Sequence, residues 1–298
     1  MTRSVKDKAA SVRAKLMNIA RAEQIDFDAL LLRYFQERFL YRLTISEFSN
    51  HFVLKGGVLL LCFELPQLRP TKDMDLLAEQ VKNDPAELEL MLRAIAGLSC
   101  HDGVQFHPSS VVSERIKEDT DYEGIRLKID ATLSSARKIL QLDIGFGDVI
   151  WPEAKVMSFP TLLEEEAPKV KVYSLESLIA EKFEAMVKLV MVNSRMKDFY
   201  DVYALSLSRP FEGNTLKTAI EKTFQRRKTP LPDEPLVFRP EFAADKGRNQ
   251  QWVAFLRKSR LSEVTQDFQE IMRQMTAFLQ PVVASIHEKT RMDESWDA

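Results

Sequence analysis

Asp73 and Asp75 lie one residue apart in the stretch LRPTKDMDLLAE, residues 68–79, with Met74 between them and Leu76 and Leu77 after them. Residues two apart on an extended strand face the same side, so these carboxylates would stand roughly 6–7 Å apart at the backbone. Like charges that close either belong to a wet strand end or share a cation. A hard divalent ion, Mg2+ or Mn2+, prefers carboxylate and phosphate oxygens, so the pair is a candidate metal grip beside the plainer reading of two solvated acids. Asp143, between Leu142 and Ile144, falls on the polar face of a second alternating run and offers a third carboxylate from another strand. Upstream, Gly56 and Gly57 follow Lys55 and mark a turn whose N–H groups can cradle phosphate. Three acids from two strands, with a glycine pair upstream, match the layout of phosphoryl transfer, where metals neutralise developing charge and orient the attacking oxygen. Arg69, Thr71 and Lys72 lead into Asp73 and read either as a charged loop or as triphosphate ligands. Asp130 and Asp148 read as structural strand-end acids.

A second anomaly lies downstream. The run SLESLIAEKFEAMVKLV carries an apolar stripe of Leu175, Leu178, Ile179, Met186 and Val190, and the stripe passes through Lys182. A lysine on an inward face must meet an anion or extend its head to water. In NSRMKDFYDVYAL, Asp198 and Asp201 are three apart and share a helical face, with Arg195 and Lys197 just before them. A buried Lys182–Asp198 ion pair locking two helices and a catalytic role for both residues are equally open, and compatible if the pair lines a cleft.

The elements that must position these groups follow from periodicity. DKAASVRAKLMNIARAEQ and DFDALLLRYFQERFLYRL repeat apolar residues at three- and four-residue spacing and predict helices, the second capped by Asp26 or Asp28. Phe52–Leu54 is a short strand broken by the glycine pair and followed by an apolar helix. DPAELELMLRAIAGL, 84–98, opens with Asp84 and Pro85 in cap and first-turn positions. GIRLKIDATL and RKILQLDIGFGDVI alternate strictly and read as a hairpin turning at SSAR. From Ser174 onward the chain is helical, with a polar, frayed end after Glu288. The expected fold class is α+β, a mixed sheet flanked by helices followed by a mostly helical C-terminal half. The expected domains are residues 1–165 and 166–298, with the helical domain completing the cleft.

Composition narrows the class. The chain has 298 residues, 45% hydrophobic and 29% charged, with a net charge of −2, so any nucleic-acid surface must be local. From Lys222 to Arg260 ten Lys/Arg stand against four acids, a local excess of +6. Arg226, Arg227, Lys228, Arg248, Arg257 and Lys258 are the candidate RNA contacts, with Trp252 and Phe255 interleaved for base stacking; the plainer reading is a solvated helical face. Cys62 and Cys100 are isolated, which argues against a disulfide framework or zinc site and for a reducing cytoplasm. No signal peptide and no membrane span are expected, because no apolar run approaches the required length. A monomer is expected.

Taken together, LKGGVLLLCF, RPTKDMDLL, LQLDIGFGDVI, SLIAEKFEAMV and SRMKDFYDVYAL resemble, in order, the AbiEii-type nucleotidyltransferase toxins, which include the MenT toxins of mycobacteria. The resemblance runs from about Phe52 to Leu205. The family belongs to the DNA polymerase β-like nucleotidyltransferase superfamily, whose glycine pair, Asp-hydrophobic-Asp-hydrophobic and later lone Asp match Gly56-Gly57, Asp73-Met74-Asp75-Leu76 and Leu142-Asp143-Ile144. The 15 residues between Gly57 and Asp73 are a long spacing for that superfamily. The resemblance implies one half of a toxin–antitoxin pair, with a cognate antitoxin encoded nearby, that transfers a nucleoside monophosphate from an NTP to RNA. For the mycobacterial relatives the acceptor is the tRNA 3′ end. It further implies that Asp73, Asp75 and Asp143 hold Mg2+, that Lys182 contacts nucleotide phosphates and that Asp198 completes the active centre. Lys55, Gly56, Gly57, Arg69, Thr71 and Lys72 would frame the triphosphate. Metal-dependent phosphoryl transfer to a protein, or a catalytically silent nucleotide-binding module, are the alternatives.

Overall fold

A computed structural model of the protein describes residues 5–63, 65, 69–119, 122–189, 195–292 and 295–296. Val190 of the helical stripe, residues 193–194 of the following motif and much of the loop at 64–68 lie outside these described residues. Contacts divide the chain into two units: residues 1–63, 70–147 and 155–172 form the first, and 64–69, 148–154 and 173–298 the second.

The first unit opens with helices α1 (Val5–Ala22) and α2 (Phe27–Ile45). Asp26 caps α2 by accepting a hydrogen bond from the Ala29 amide at 3.0 Å, satisfying one of the free donors of the first turn. Strand β1 (Phe52–Lys55) runs into the single-turn helix α3 (Gly56–Leu59), and β2 (Met74–Ala78) follows. Helix α4 (Pro85–Ala96) begins with Asp84 accepting from Ala86 N at 2.9 Å and proline in its first turn. Then come β3 (Val104–Phe106), β4 (Val112–Asp119), β5 (Tyr122–Leu133), β6 (Ala136–Phe146), β7 (Lys155–Ser158) and β8 (Lys169–Val172).

Among the described residues these eight strands make one mixed sheet in the order β3-β5-β6-β2-β1-β8-β7, with β4 paired to β5. β2 runs parallel to β6 and antiparallel to β1, and β5 runs antiparallel to β6. The β5–β6 hairpin closes through Ser134-Ser135, with Leu133 opposite Ala136 and Ser134 at φ 55°. Such two-residue loops turn with positive φ because that twist matches the strands. Phe39 and Leu43 of α2 and Leu88, Leu92 and Ile95 of α4 pack on Phe52, Leu76, Leu127, Leu142 and Ile144 of the sheet. Period-two alternation therefore sends the residues between these, Lys55, Asp75, Arg126 and Asp143, to the face away from those helices.

Buried ion pairs tie α2 to its surroundings. Arg42 grips Asp102 at 2.7 and 3.1 Å, and Arg38 bonds both Asp102, at 3.1 Å, and Glu37, at 3.2 Å. Leu162 N donates to Glu37 at 2.8 Å. Burial nevertheless pushes the Glu37 carboxyl up to about 7, against the opposing pull of that amide and Arg38.

The second unit consists of α5 (Leu175–Leu189), α6 (Met196–Ser208), β9 (Phe211–Glu212), α7 (Gly213–Arg227), α8 (Pro240–Ala243), α9 (Lys246–Ser259), α10 (Phe268–Glu288) and β10 (Ser295–Trp296), which pairs with β9. Its core is aromatic: Phe183 stacks on Phe238 at 5.5 Å, and Phe199 meets Phe268 edge-on at 5.4 Å. Both cysteines are free thiols. Among the described residues no helix is long and apolar enough to cross a membrane.

Candidate functional site

The sheet register gathers the acids of the first unit. Asp75 on β2 is the direct partner of Lys55 on one side and of Asp143 on the other. Asp143 in turn faces Arg126 on β5, and Arg126 faces Glu114 on β4. One row therefore crosses five strands, Lys55–Asp75–Asp143–Arg126–Glu114, with two adjacent carboxylates between two cations. Neighbouring strands lie about 4.8 Å apart, and side chains at matched register positions project together. Asp143 is 8% exposed and Lys55 5% exposed, so the charges compensate each other in a largely desolvated place.

Arg126 closes on Asp143 as a fork, Nε to Oδ1 and Nη2 to Oδ2, each at 2.8 Å. Gln141 Nε2 adds a longer contact to Oδ1 at 3.3 Å. The hydrogen bonds to Asp143 raise the Arg126 pKa further. Asp73 stands just before β2, two residues from Asp75, and its charge also acts on Arg126. Gln36, buried on α2, donates to the carbonyls of Lys72 at 3.1 Å and Thr71 at 3.4 Å and so fixes the segment entering Asp73.

Gly56 is required twice. Its φ is +69°, a region L side chains rarely adopt, and a Cβ there would fall 1.9 Å from Asp75 Oδ2. The Asp75 carboxylate thus rests against the backbone of the glycine turn, and no other residue type fits between them.

The helical unit holds a second charged cluster. Lys182 Nζ lies 2.7 Å from Asp198 Oδ1 and 2.8 Å from Asp201 Oδ2. Arg69 takes the same Asp201 bidentately, Nε to Oδ1 and Nη2 to Oδ2 at 2.7 Å each. Two cations and two carboxylates make a neutral quartet, with Lys182 8%, Asp198 5% and Asp201 0% exposed. Burial alone would lower the Lys182 pKa, but Asp198 and Asp201 outweigh it and leave it raised. Burial alone would raise Asp201, but Lys182 and Arg69 hold it below the ordinary carboxylate range. Both charged forms are thereby locked in.

The basic segment is only partly a surface. Arg227 is turned inward, its guanidinium 3.0 Å from Glu184, 3.2 Å from Asp148 and 3.4 Å from Glu181. Arg248 is 4% exposed, with its guanidinium 3.9 Å above the Phe242 ring. Trp252 is fully buried and donates Nε1–H to the Thr265 carbonyl at 3.0 Å. The expectation that Arg227 and Arg248 meet RNA and that Trp252 stacks on a base is therefore corrected: all three are spent on the unit's own core. Arg226, Lys228, Arg257 and Lys258 remain exposed.

Sequence reasoning also missed residues. Arg126, Gln36 and Glu114 did not figure in it, and Arg69 engages Asp201. The hairpin carries the signal for Arg126, because a two-residue loop at 134–135 places 126 opposite 143 by counting. Among the described residues no three carboxylate, imidazole or thiol side chains are gathered as a metal cage. The chemistry of the donor set still fits Mg2+, which is commonly held by one or two carboxylates together with water and substrate phosphates, and Asp75 and Asp143 supply two at matched positions.

A family model described as the nucleotidyl transferase AbiEii toxin of type IV toxin–antitoxin systems matches residues 38–274. Among solved structures, a candidate nucleotidyltransferase from H. pylori is similar at 16% identity, covering 90% of this chain and 100% of that one, with a TM-score of 0.51; this likeness is one of fold. JHP933 from Helicobacter pylori aligns at 14% identity over 89% of this chain and 95% of its own, with a TM-score of 0.48. No curated protein matches the chain in sequence.

Proposed function

Because the chain belongs to the AbiEii nucleotidyl transferase toxin family of type IV toxin–antitoxin systems, we propose that it transfers a nucleoside monophosphate from an NTP to an RNA acceptor, the tRNA 3′ end, and so blocks translation. The observation that carries the reading is the in-register pair Asp75 and Asp143 beside a glycine turn that admits no side chain against Asp75. The pair would hold Mg2+, or Mn2+, with Asp73 at the strand start as third carboxylate. The metal, when bound, would neutralise charge on the transferring phosphate.

The protein's own residues do the positioning. Gly56 keeps the Asp75 carboxylate fixed, Gln36 holds the Thr71 and Lys72 carbonyls, and Lys55 balances the row. Lys55, Gly56, Gly57, Thr71 and Lys72 are our assignments for binding the triphosphate. In the helical unit Lys182 is the assigned phosphate contact, presented by Asp198 and Asp201, while Arg69 is oriented by its fork on Asp201. RNA is assigned to the exposed cations Arg226, Lys228, Arg257 and Lys258. A cognate antitoxin is the expected protein partner.

The test is incubation of the purified protein with total tRNA, Mg2+ and each labelled NTP in turn. Label on tRNA of increased length supports the proposal. Label on protein would instead favour phosphoryl transfer to a protein, and no turnover with any NTP would favour a silent nucleotide-binding module.

A further inference from the structure

Arg126 is the residue of the row whose role the proposed function leaves unexplained. Asp143 spends both of its oxygens on the Arg126 fork at 2.8 Å, and Gln141 takes a further contact at Oδ1. The fork takes one lone pair on each oxygen and Gln141 another on Oδ1, and the guanidinium's charge lies where a cation would sit, so the fork competes with a metal ion for this carboxylate. Arg126 is also not sealed in: its side chain is 31% exposed, against 11% for the Asp143 side chain. On its other side, in register on β4, stands Glu114, with Oε1 4.0 Å from Arg126 Nη1. Glu114 is itself 51% exposed at the side chain and already bound to Lys128 at 2.8 Å. Arg126 thus sits between two carboxylates at matched positions, clamped on the inner one and within a short rotation of the outer one.

We propose that Arg126 is a displaceable counter-ion of the cation site, holding Asp143 neutralised and oriented until it swings toward Glu114 and frees both oxygens for a divalent cation. The inference rests on the reading of Asp75 and Asp143 as metal ligands. It adds that cation affinity is set by the competition between the fork and the ion, so removing the fork makes binding tighter, opposite to what loss of a merely supportive residue does. Exchange of this kind keeps two adjacent carboxylates, which repel each other, from facing each other uncompensated when no metal is present.

The experiment measures binding of Mn2+ alone to the full chain, by titration calorimetry or by the paramagnetic resonance of free Mn2+, with no nucleotide and no activity readout. Arg126→Lys keeps the positive charge but loses the fork, and Arg126→Gln loses both. Since a partly exposed ion pair is a weak competitor, Arg126→Lys is expected to bind Mn2+ about 3- to 5-fold more tightly than the wild type, and Arg126→Gln about 10-fold. Glu114→Gln, which removes the receiving carboxylate, is expected to weaken binding. Equal affinity of Arg126→Lys and wild type, with only Arg126→Gln tighter, would show a plain field effect and overturn the proposal. Weaker binding in both variants would do so too, by making Arg126 a support for Asp143. Asp143→Asn separates the two levels. Loss of Mn2+ in that variant with no gain in Arg126→Lys removes the counter-ion role alone. Unchanged Mn2+ binding in Asp143→Asn removes the ligand assignment and the counter-ion role with it.

Discussion

At the scale of single residues, Gly56 is the sharpest constraint, because the turn and the Asp75 carboxylate compete for the same space. Gly56→Ala forces an alanine into left-handed backbone, at about 1–2 kcal/mol, and pushes the Asp75 carboxylate out of its place beside Asp143. Displacement of that size is expected to slow nucleotide transfer about 100-fold or more while the fold survives, measured as transfer rate beside the urea unfolding midpoint. Lys182 behaves differently. It is buried between Asp198 and Asp201, so Lys182→Ala removes the cation that the two carboxylates share, while Arg69 stays on Asp201. Breaking such a buried pair is expected to cost about 3–5 kcal/mol in chemical unfolding, in addition to lost activity. The quartet also sets a pH window. The Asp201 pKa lies below its ordinary 3.8, so its contribution is complete above that value and is lost as pH falls through the lower folded value. The Lys182 pKa lies above its ordinary 10.5, so its contribution is complete below that value and is lost as pH rises through the folded value. The wild type is expected to lose this stability at both extremes, and Lys182→Ala to show a flatter alkaline limb.

At the scale of elements, the β5–β6 hairpin decides the site. Its loop sets Leu133 against Ala136, and everything downstream follows: Leu127 meets Leu142, Arg126 meets Asp143 and Ile125 meets Ile144. Strict alternation and the SSAR turn were enough to see this hairpin, and with the register counted out they also give the Arg126–Asp143 pair. The parallel pairing of β2 with β6, which puts Asp75 beside Asp143, was not legible in the same way. Partners 68 residues apart, such as Asp75 and Asp143 (143 − 75), leave no local trace of their register. The loop offers its own test. Ser134 sits at φ 55° without being glycine, so Ser134→Gly is expected to raise stability by about 0.5–1 kcal/mol in thermal or urea unfolding, with transfer activity unchanged. A loss of stability would mean that the hydroxyl, not the backbone, holds the turn.

At the scale of the whole molecule, the mixed α+β class and the sheet-then-helices order were readable from periodicity alone. What charge counting could not see is which cations of 222–260 fold inward. The sorting lies in helical phase: Arg248, Trp252 and Leu256 recur every four residues along one buried stripe of α9, and Arg227 continues the inward face of Ala219, Ile220, Thr223 and Phe224 on α7. Arg227, in core ion pairs, and Arg248, against the Phe242 ring, are thus withdrawn from the basic segment, which narrows any RNA surface to fewer residues. The short segments 64–69 and 148–154, grouped with the helical unit, left no sign in composition. Within them Arg69 pairs with Asp201 and Asp148 with Arg227. In the proposed reaction the paired carboxylates of the sheet, Asp75 and Asp143, carry nucleotide transfer to RNA. The most direct measurement of this role is the rate at which α-labelled NTP marks the tRNA 3′ end with wild type and with Asp75→Asn at matched fold stability. Labelled, lengthened tRNA is expected from the wild type, and a rate lower by at least about 100-fold from the variant. Labelling of tRNA by Asp75→Asn at the wild-type rate would contradict that role.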